Sequence, residues 1–390
     1  MRLLQVVPSY LPAHRYGGPV QSVHGMSAAL VARGHQVRVL TTDLDDGERL
    51  AIEGATAEID GVRVDYGRGR GPGCLRFAPQ LRGELREAAG WADRVVVHGL
   101  YNWLSSAALR AAAEVGVPTA LCPRGMLMCD ALELRRGWLK RQWLRWIDGR
   151  ALDHVAALHL TSEREAQLLP PRVGGWPRTL LVPNGYHPPN DELDLCDVSA
   201  RALQVIQENP QTVLFLGRLS WKKGLDRLLS AFAHLPNEIA LIIAGPDDGW
   251  GDELTRRVTQ AGWGRRVHVL GSVQGASKRF LLENATCLAC PSYSENFANV
   301  VLEAMAAGCP PVVTREVGAG EWVARFHAGR VVSGEPQRYA AALRELCCDP
   351  AARSAAVRGS RRAAAELTWN AVAARFEDEL ESRLPLQQAA

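Results

Sequence analysis

Short aliphatic and β-branched runs alternate with longer stretches of helical periodicity along most of the chain. Arg2 to Val7 is the first such run, and Pro8 to Gly18 reads as a loop rich in Pro and Gly. A helical pattern then begins at Pro19, suited to a first helical turn, and ends near Arg33 with Gly34 as C-cap. Gln36 to Thr42 is the next predicted strand. The same order recurs: a strand at Arg94 to Val97 and a helix at Ser105 to Val115; a strand at Pro118 to Leu121; a strand at Ala156 to Leu160 and a helix from Ser162 with Glu165 three positions on as its capping partner; a strand at Thr179 to Val182. Strands that are hydrophobic throughout, separated by helices, imply a parallel sheet covered on both faces.

A turn-rich, acidic stretch from Asn184 to Asp197 interrupts this rhythm and is the expected linker. The pattern restarts with strands at Val213 to Leu216, Ala240 to Ala244, Val267 to Leu270, Cys287 to Cys290 and Pro311 to Thr314, which closes the series. Helices are expected at Leu225 to Ala233, Asp252 to Ala261 and Asn299 to Ala307. A last helix, Trp369 to Leu384, lies beyond this pattern. Two doubly wound α/β domains are expected, residues 1–190 joined by 366–390, and residues 200–365. Sheets of this kind bind ligands beyond the carboxyl ends of their strands, so a cleft between the two lobes is the expected site.

Length and composition agree with two soluble domains. With 390 residues, 47% hydrophobic and 22% charged, the chain is too long for one core and too apolar for disorder. No run reaches the roughly 18 to 20 uncharged apolar residues of a membrane span, and the amino-terminal run is too short for a secretory segment, so a cytoplasmic location is expected. The nine cysteines form an odd, scattered set that suits reduced thiols, and Cys287 and Cys290 read as small core residues. A net charge of +3 predicts no nucleic-acid partner. Its distribution is uneven: residues 1–190 hold 23 Lys and Arg against 18 Asp and Glu, the rest 22 against 24. Contact with an anionic surface should therefore fall to the first half.

Candidate chemistry concentrates after two strands of the second domain. Following Cys290, a polar loop carries Glu295 and Asn296, and a helix begins near Asn299 with Glu303 about one turn in. Unpaired amides and the positive dipole end of that helix favour a phosphate, while carboxylates beside it can grip sugar hydroxyls. A capping acid and a solvated helical Glu fit this segment equally well. The loop after Leu216 adds Gly217-Arg218 and Lys222-Lys223-Gly224, cations able to neutralise a diphosphate. That points to a ligand bearing both phosphate and sugar.

Gly217-Arg218 with Lys223-Gly224, followed by Glu295 and Glu303 with seven residues between them and ending in Glu-Ala-Met-Ala-Ala-Gly, resembles the donor half of a retaining glycosyltransferase of family 4, with the GT-B fold of two Rossmann-like domains. Gly17-Gly18, His98, Pro123-Arg124-Gly125-Met126, Pro183-Asn184-Gly185 and Thr368-Trp369 are similar to further segments of that family, so the likeness covers nearly the whole chain. The resemblance implies transfer of a glycosyl group from a UDP-, GDP- or ADP-sugar to an acceptor hydroxyl, with retention and without a metal or other cofactor. It implies that Glu303 holds the ribose and Glu295 the transferred sugar. The amides of Asn296, Phe297, Ala298, Asn299 and Val300 would contact sugar and phosphate, with Arg218 and Lys223 on the departing diphosphate. Gly17 and Gly18 would let the other domain's backbone approach that diphosphate, His98 would lie near sugar and acceptor, and Arg124 would belong to the acceptor side. Ala298 and Asn299 depart from the glycine and small or apolar residue common in the family.

Other readings compete. Asp43 and Asp45 form an acidic triplet able to hold a divalent metal in a different glycosyltransferase fold, but they follow the wrong strand and read as a solvated loop. Residues Glu133 to Arg150 carry three tryptophans and six cations; Leu139, Trp143, Trp146 and Ile147 share a helical face, with Arg141 and Arg145 opposite. Interfacial binding to anionic lipid, which a lipid-linked saccharide acceptor would suit, and packing on the chain's own domain both explain this pattern. A nicotinamide dehydrogenase would need a Gly-x-Gly-x-x-Gly loop that the first strand lacks. A sugar-nucleotide epimerase and a silent sugar-nucleotide sensor remain as alternatives.

Overall fold

The computed structural model describes residues 1–13, 17–45, 48–71, 77–133, 137–172, 175–188 and 193–384. The expectations for Cys74, for Leu134 to Arg136 within the tryptophan-rich stretch, for 189–192 of the linker and for 385–390 lie outside them. The chain divides into two compact units, Met1–Gly185 with the chain from Trp369 onward, and Tyr186–Thr368.

In the first unit the strands are β1 (Arg2–Val6), β2 (Gln36–Thr42), β3 (Leu44–Asp45), β4 (Glu48–Arg49), β5 (Thr56–Ile59), β6 (Val62–Gly67), β7 (Arg94–His98), β8 (Thr119–Cys122), β9 (Ala157–Leu160) and β10 (Arg178–Leu181). Eight of them form one sheet in the order β10-β9-β8-β7-β1-β2-β6-β5. Every residue of β7, β8 and β9 is buried, as expected of parallel strands covered on both faces. The exception to parallel order is β5, which pairs antiparallel with β6. Its cause is local: Asp60 (φ 50°) and Gly61 (φ 74°) make a tight two-residue turn, the Asp-Gly hairpin signal. The helix after β7 spans Trp103–Val115, two residues earlier than expected, because the Asn102 side chain caps it by accepting from the Ser105 N–H at 2.9 Å.

The triplet Asp43 to Asp45 is not a solvated loop. Asp43 accepts from the Gly69 N–H at 2.7 Å and pairs with Arg49, which closes the β3–β4 hairpin. Its carboxylate is therefore structural.

The last helix, Trp369–Arg383, belongs to this unit. Trp369 fills space that two glycines leave: a Cβ on Gly25 would collide with its indole, and one on Gly185 would lie 2.7 Å from its ring. Arg33 to Glu377 at 2.7 Å and Arg383 to the Thr179 carbonyl at 3.0 Å fasten the helix further.

The second unit holds β11 (Thr212–Leu216), β12 (Ala240–Ala244), β13 (Val267–Gly271), β14 (Cys287–Cys290), β15 (Pro311–Thr314) and β16 (Arg330–Val332), in the order β13-β12-β11-β14-β15-β16. All pairings are parallel. The series thus continues one strand past Pro311–Thr314, and helices Pro336–Cys348 and Pro350–Glu366 follow it. Leu225, Leu228 and Phe232 of the helix after β11 pack with Tyr339 and Leu343 in one core. Cys287 belongs to it, Cys290 is buried as well, and the eight described cysteines are free thiols. In each sheet the strand order reverses beside the first strand, between β1 and β7 and between β11 and β14. Ligand-binding loops leave such sheets at that point.

Candidate active site

The loops that leave β11 and β14 carry the cations and carboxylates singled out above. Lys223 and Glu295 form a direct ion pair, their side chains only 22% and 15% exposed. Burial pulls the Lys223 ammonium down, but the adjacent Glu295 carboxylate outweighs it and holds the amine above its ordinary range. One glycine makes this contact possible: Gly224 has φ 70°, and a Cβ there would collide with the Pro291 carbonyl. The two loops therefore meet backbone to backbone. Tyr293 N–H donates to the Lys222 carbonyl at 2.9 Å, and the Tyr293 hydroxyl donates to Asp226 at 2.6 Å. Arg227 lies over the Tyr293 ring at 3.7 Å, a stacking contact that stiffens the join.

Glu295 is also held from behind. Its N–H donates to the Glu316 carbonyl at 3.0 Å, its carbonyl accepts from Gly318 at 3.2 Å, and the Phe297 carbonyl accepts from Ala319 at 2.9 Å. Phe297 is buried, so it anchors the loop while Asn296, Ala298, Asn299 and Val300 are half-buried. Ala298 sits at φ 73°, immediately before the helix Asn299–Ala307. Its conformation is the left-handed one that glycine adopts without strain, which gives the Ala298 departure noted above a backbone meaning.

Arg218 is two-thirds exposed and lies 3.5 Å from Asp248. Its positive charge opposes that of Lys223, so both cations act in one neighbourhood. Glu303 has a different partner: it lies 2.7 Å from the Lys278 ammonium of the helix Gly275–Asn284.

The first unit has its own cluster where β1 and β7 part. His98, at the end of β7, is 4% exposed, and both ring nitrogens are engaged, with Gln5 Oε1 at 2.6 Å and the Arg124 guanidinium at 3.3 Å. A guanidinium can only donate, so Nδ1 accepts and Nε2 carries the hydrogen that goes to Gln5. Burial, then the Arg124 charge and His159, hold the imidazole well below its ordinary pKa and hence neutral. His98 is thus a seated residue that steadies Arg124. Arg124 (φ 53°) and Gly125 (φ 78°) form a left-handed pair after β8; Arg124 also donates to Asn184 Oδ1 at 2.9 Å. Glu165, wholly buried, accepts from the Gly125 N–H at 2.6 Å and the Thr161 N–H at 2.9 Å, which fixes the loop beneath Arg124. Gly17 (φ 61°, ψ −127°) precedes Gly18, the first residue of the helix Gly18–Ala32, and both are exposed.

Two family models cover most of the chain. One described as glycosyl transferases group 1 matches residues 199–363, and one described as glycosyl transferase 4-like domain matches residues 17–185. The chain belongs to the family 4 glycosyltransferases. It is an enzyme with the GT-B fold. This glycosyltransferase is 29% identical over 382 residues to the D-inositol 3-phosphate glycosyltransferase of Xylanimonas cellulosilytica, spanning 93% of this chain and 91% of the relative. Among solved structures, the sucrose-phosphate synthase of Thermosynechococcus elongatus superposes with a TM-score of 0.73 at 19% identity, over 99% of this chain and all of that one. The HepE protein of Anabaena in complex with UDP-glucose superposes with a TM-score of 0.70 at 20% identity, over 98% and 100%.

Sequence reasoning missed the residues that brace the glycosyltransferase's candidate site. Gln5, Tyr293, Asp226, Arg227, Lys278 and the segment from Glu316 to Ala319 make their contacts only through the fold. Gly224 carried a usable signal: a glycine directly after two lysines and before a helix marks a positive φ.

Proposed function

We propose that the enzyme transfers a glycosyl group, with retention, from a nucleoside diphosphate sugar to an acceptor hydroxyl in the synthesis of a polysaccharide, lipopolysaccharide or glycolipid. The Lys223–Glu295 pair at the β11/β14 switch point carries this reading, because it puts a phosphate-seeking cation beside a hydroxyl-seeking carboxylate. In this reading the diphosphate draws Lys223 away from Glu295, which frees the carboxylate for the transferred sugar. Arg218 joins Lys223 on the leaving diphosphate, the amides of the helix start at Asn299 add to them, and Glu303 takes the ribose. Breaking the glycosyl–phosphate bond places negative charge on the diphosphate and positive charge on the ring, so cations fixed on the phosphate side lower the barrier most. Those side chains supply the charge a metal would bring, and the reading includes no metal. The leaving phosphate accepts the proton of the attacking hydroxyl on the same face.

The UDP-glucose held by the Anabaena relative supports a UDP-sugar as the first donor to try. Purified enzyme is titrated with UDP-, GDP- and ADP-sugars and slow donor hydrolysis is followed. Binding of one class supports the assignment, and binding of none would sink it.

The reading places the enzyme on the inner face of a membrane. Trp138 and Trp146 are 68% and 72% exposed, Leu139 and Ile147 are exposed with them, and Arg141 and Arg145 lie on the same helix, Gly137–Trp146, or at its edge. Such a face suits an anionic lipid surface: Leu144 and half-buried Trp143 turn toward the chain's own domain, while Trp138 and Trp146 stay uncovered. No described helix is long and apolar enough to cross a membrane. Sedimentation with anionic but not zwitterionic vesicles is expected, and equal recovery with both would remove this part of the reading.

A further inference from the structure

Arg124 is a half-buried cation without a carboxylate in ion-pair range among the described residues. The acceptors its guanidinium meets are neutral: Asn184 Oδ1 at 2.9 Å and the His98 Nδ1 at 3.3 Å. Its Nε is shielded from solvent and makes no hydrogen bond. Taking a charge out of water without a counter-charge is costly; half-buried Arg38 pairs with Asp65, and half-buried Arg266 spends its donors on backbone carbonyls and Asn237, whereas Arg124 has only the two neutral acceptors among the described residues. Glu165, whose charge is coupled to that of Arg124, directs its oxygens to Gly125 and Thr161.

The surroundings hold the guanidinium in place. Gln5 on β1 fixes His98 on β7, and His98 and Asn184 fix Arg124 from two sides. A non-glycine residue at φ 53° is strained, and the chain sustains that strain at Arg124. The cluster lies at the carboxyl ends of β1, β7 and β8, where a doubly wound sheet takes its ligand. We infer that the acceptor carries a phosphate or carboxylate group and that Arg124 binds it. The inference rests on the glycosyl-transfer reading for the word acceptor, while the oxyanion site stands on the geometry of Arg124 itself.

The test uses the full chain without donor. Glucose, glucose 6-phosphate and glucuronate are titrated calorimetrically at constant ionic strength into the wild type, Arg124→Gln and Asn184→Asp. Asn184→Asp keeps the guanidinium and neutralises it in place, and the unfolding midpoint of each variant checks folding. The wild type is expected to prefer one of the anionic sugars over glucose by about tenfold, the worth of one charge-assisted hydrogen-bond set. Both variants should lose that preference, and whichever sugar is preferred identifies the anion as phosphate or carboxylate. No preference in the wild type, or a preference that survives in both variants, overturns the proposal. UDP titrated separately should bind the wild type and Arg124→Gln alike; a tenfold loss in Arg124→Gln would assign the guanidinium to the donor and also overturn it. If no nucleotide binds while the anionic sugar does, the transfer reading fails and the oxyanion site remains.

Discussion

The Lys278 ammonium lies 2.7 Å from the Glu303 carboxylate, tying the helix Gly275–Asn284 to the helix Asn299–Ala307. Each partner is about a third exposed, so the pair contributes little to stability, and its worth lies in aiming Glu303. Lys278→Met should raise the donor KM about two- to fivefold with kcat nearly unchanged, the loss of a positioning contact of under about 1 kcal/mol. Glu303→Ala should weaken donor binding more. Steady-state kinetics on both variants checks this, and a loss confined to kcat would refute the assignment.

Arg218 and Lys223 should behave differently from Glu303. A cation that meets charge only as the diphosphate departs acts on the transition state, so Arg218→Ala should lower kcat about a hundredfold while the donor KM changes little. Lys223→Ala should lower kcat by at least as much. If both variants transfer sugar like the parent, neither residue stabilises the leaving group.

Gly224 sets the distance between the two loops. Gly224→Ala would drive its Cβ into the Pro291 carbonyl and strain a φ of 70°, so it should destabilise the protein by about 2–4 kcal/mol. Denaturant unfolding measures this directly. A change below about 0.5 kcal/mol would mean the loops are not locked together.

The alternation of buried runs and helices was legible in the sequence because parallel strands need continuous apolar stretches. Asn299–Ala307 was read to the residue. What escaped detection had weaker patterns: β16 is half-buried along its length, and β5 alternates exposed and half-buried positions. The charged site residues were legible as types in loops after strands, and their roles came from resemblance. Their partners were not, since Lys223 finds Glu295 across 72 residues and His98 finds Gln5 across 93. His98 shows the limit most clearly: the resemblance implied a place near sugar and acceptor, while the two hydrogen bonds that seat its ring, to Gln5 and Arg124, could not be read from the sequence.

The neutral state of His98 links stability to pH. Burial first, and Arg124 next, lower the pKa of both His98 and His159, the latter to about 3. The unfolded chain takes up these protons near the ordinary value of about 6.5, while the folded chain refuses them. The stabilisation is therefore complete above that value and is lost as pH falls below it. Each group should contribute about 1.4 kcal/mol per pH unit, read as a falling unfolding free energy between about pH 6 and 5, above the carboxylate range. His159→Gln should make the slope shallower, with His98 and His268, whose pKa burial also lowers, carrying the remainder. A flat profile over that window would show that the imidazoles are protonated in the fold.

Ala298 offers the opposite experiment, a substitution that should relieve strain. At φ 73° and ψ 78° an alanine pays about 1–2 kcal/mol that glycine does not, while glycine adds about 0.4–1 kcal/mol of freedom to the unfolded chain. The difference leaves Ala298→Gly neutral to about 1 kcal/mol more stable. Ala298→Val, whose branched Cβ resists a positive φ, should be the less stable of the two. The pair also separates backbone geometry from side-chain chemistry at the loop proposed to hold the sugar: if the loop works through its amides, Ala298→Gly should keep donor affinity within about twofold and Ala298→Val should lose it along with stability. A glycine variant less stable than the parent by more than about 1 kcal/mol would show that the alanine methyl is needed where it is.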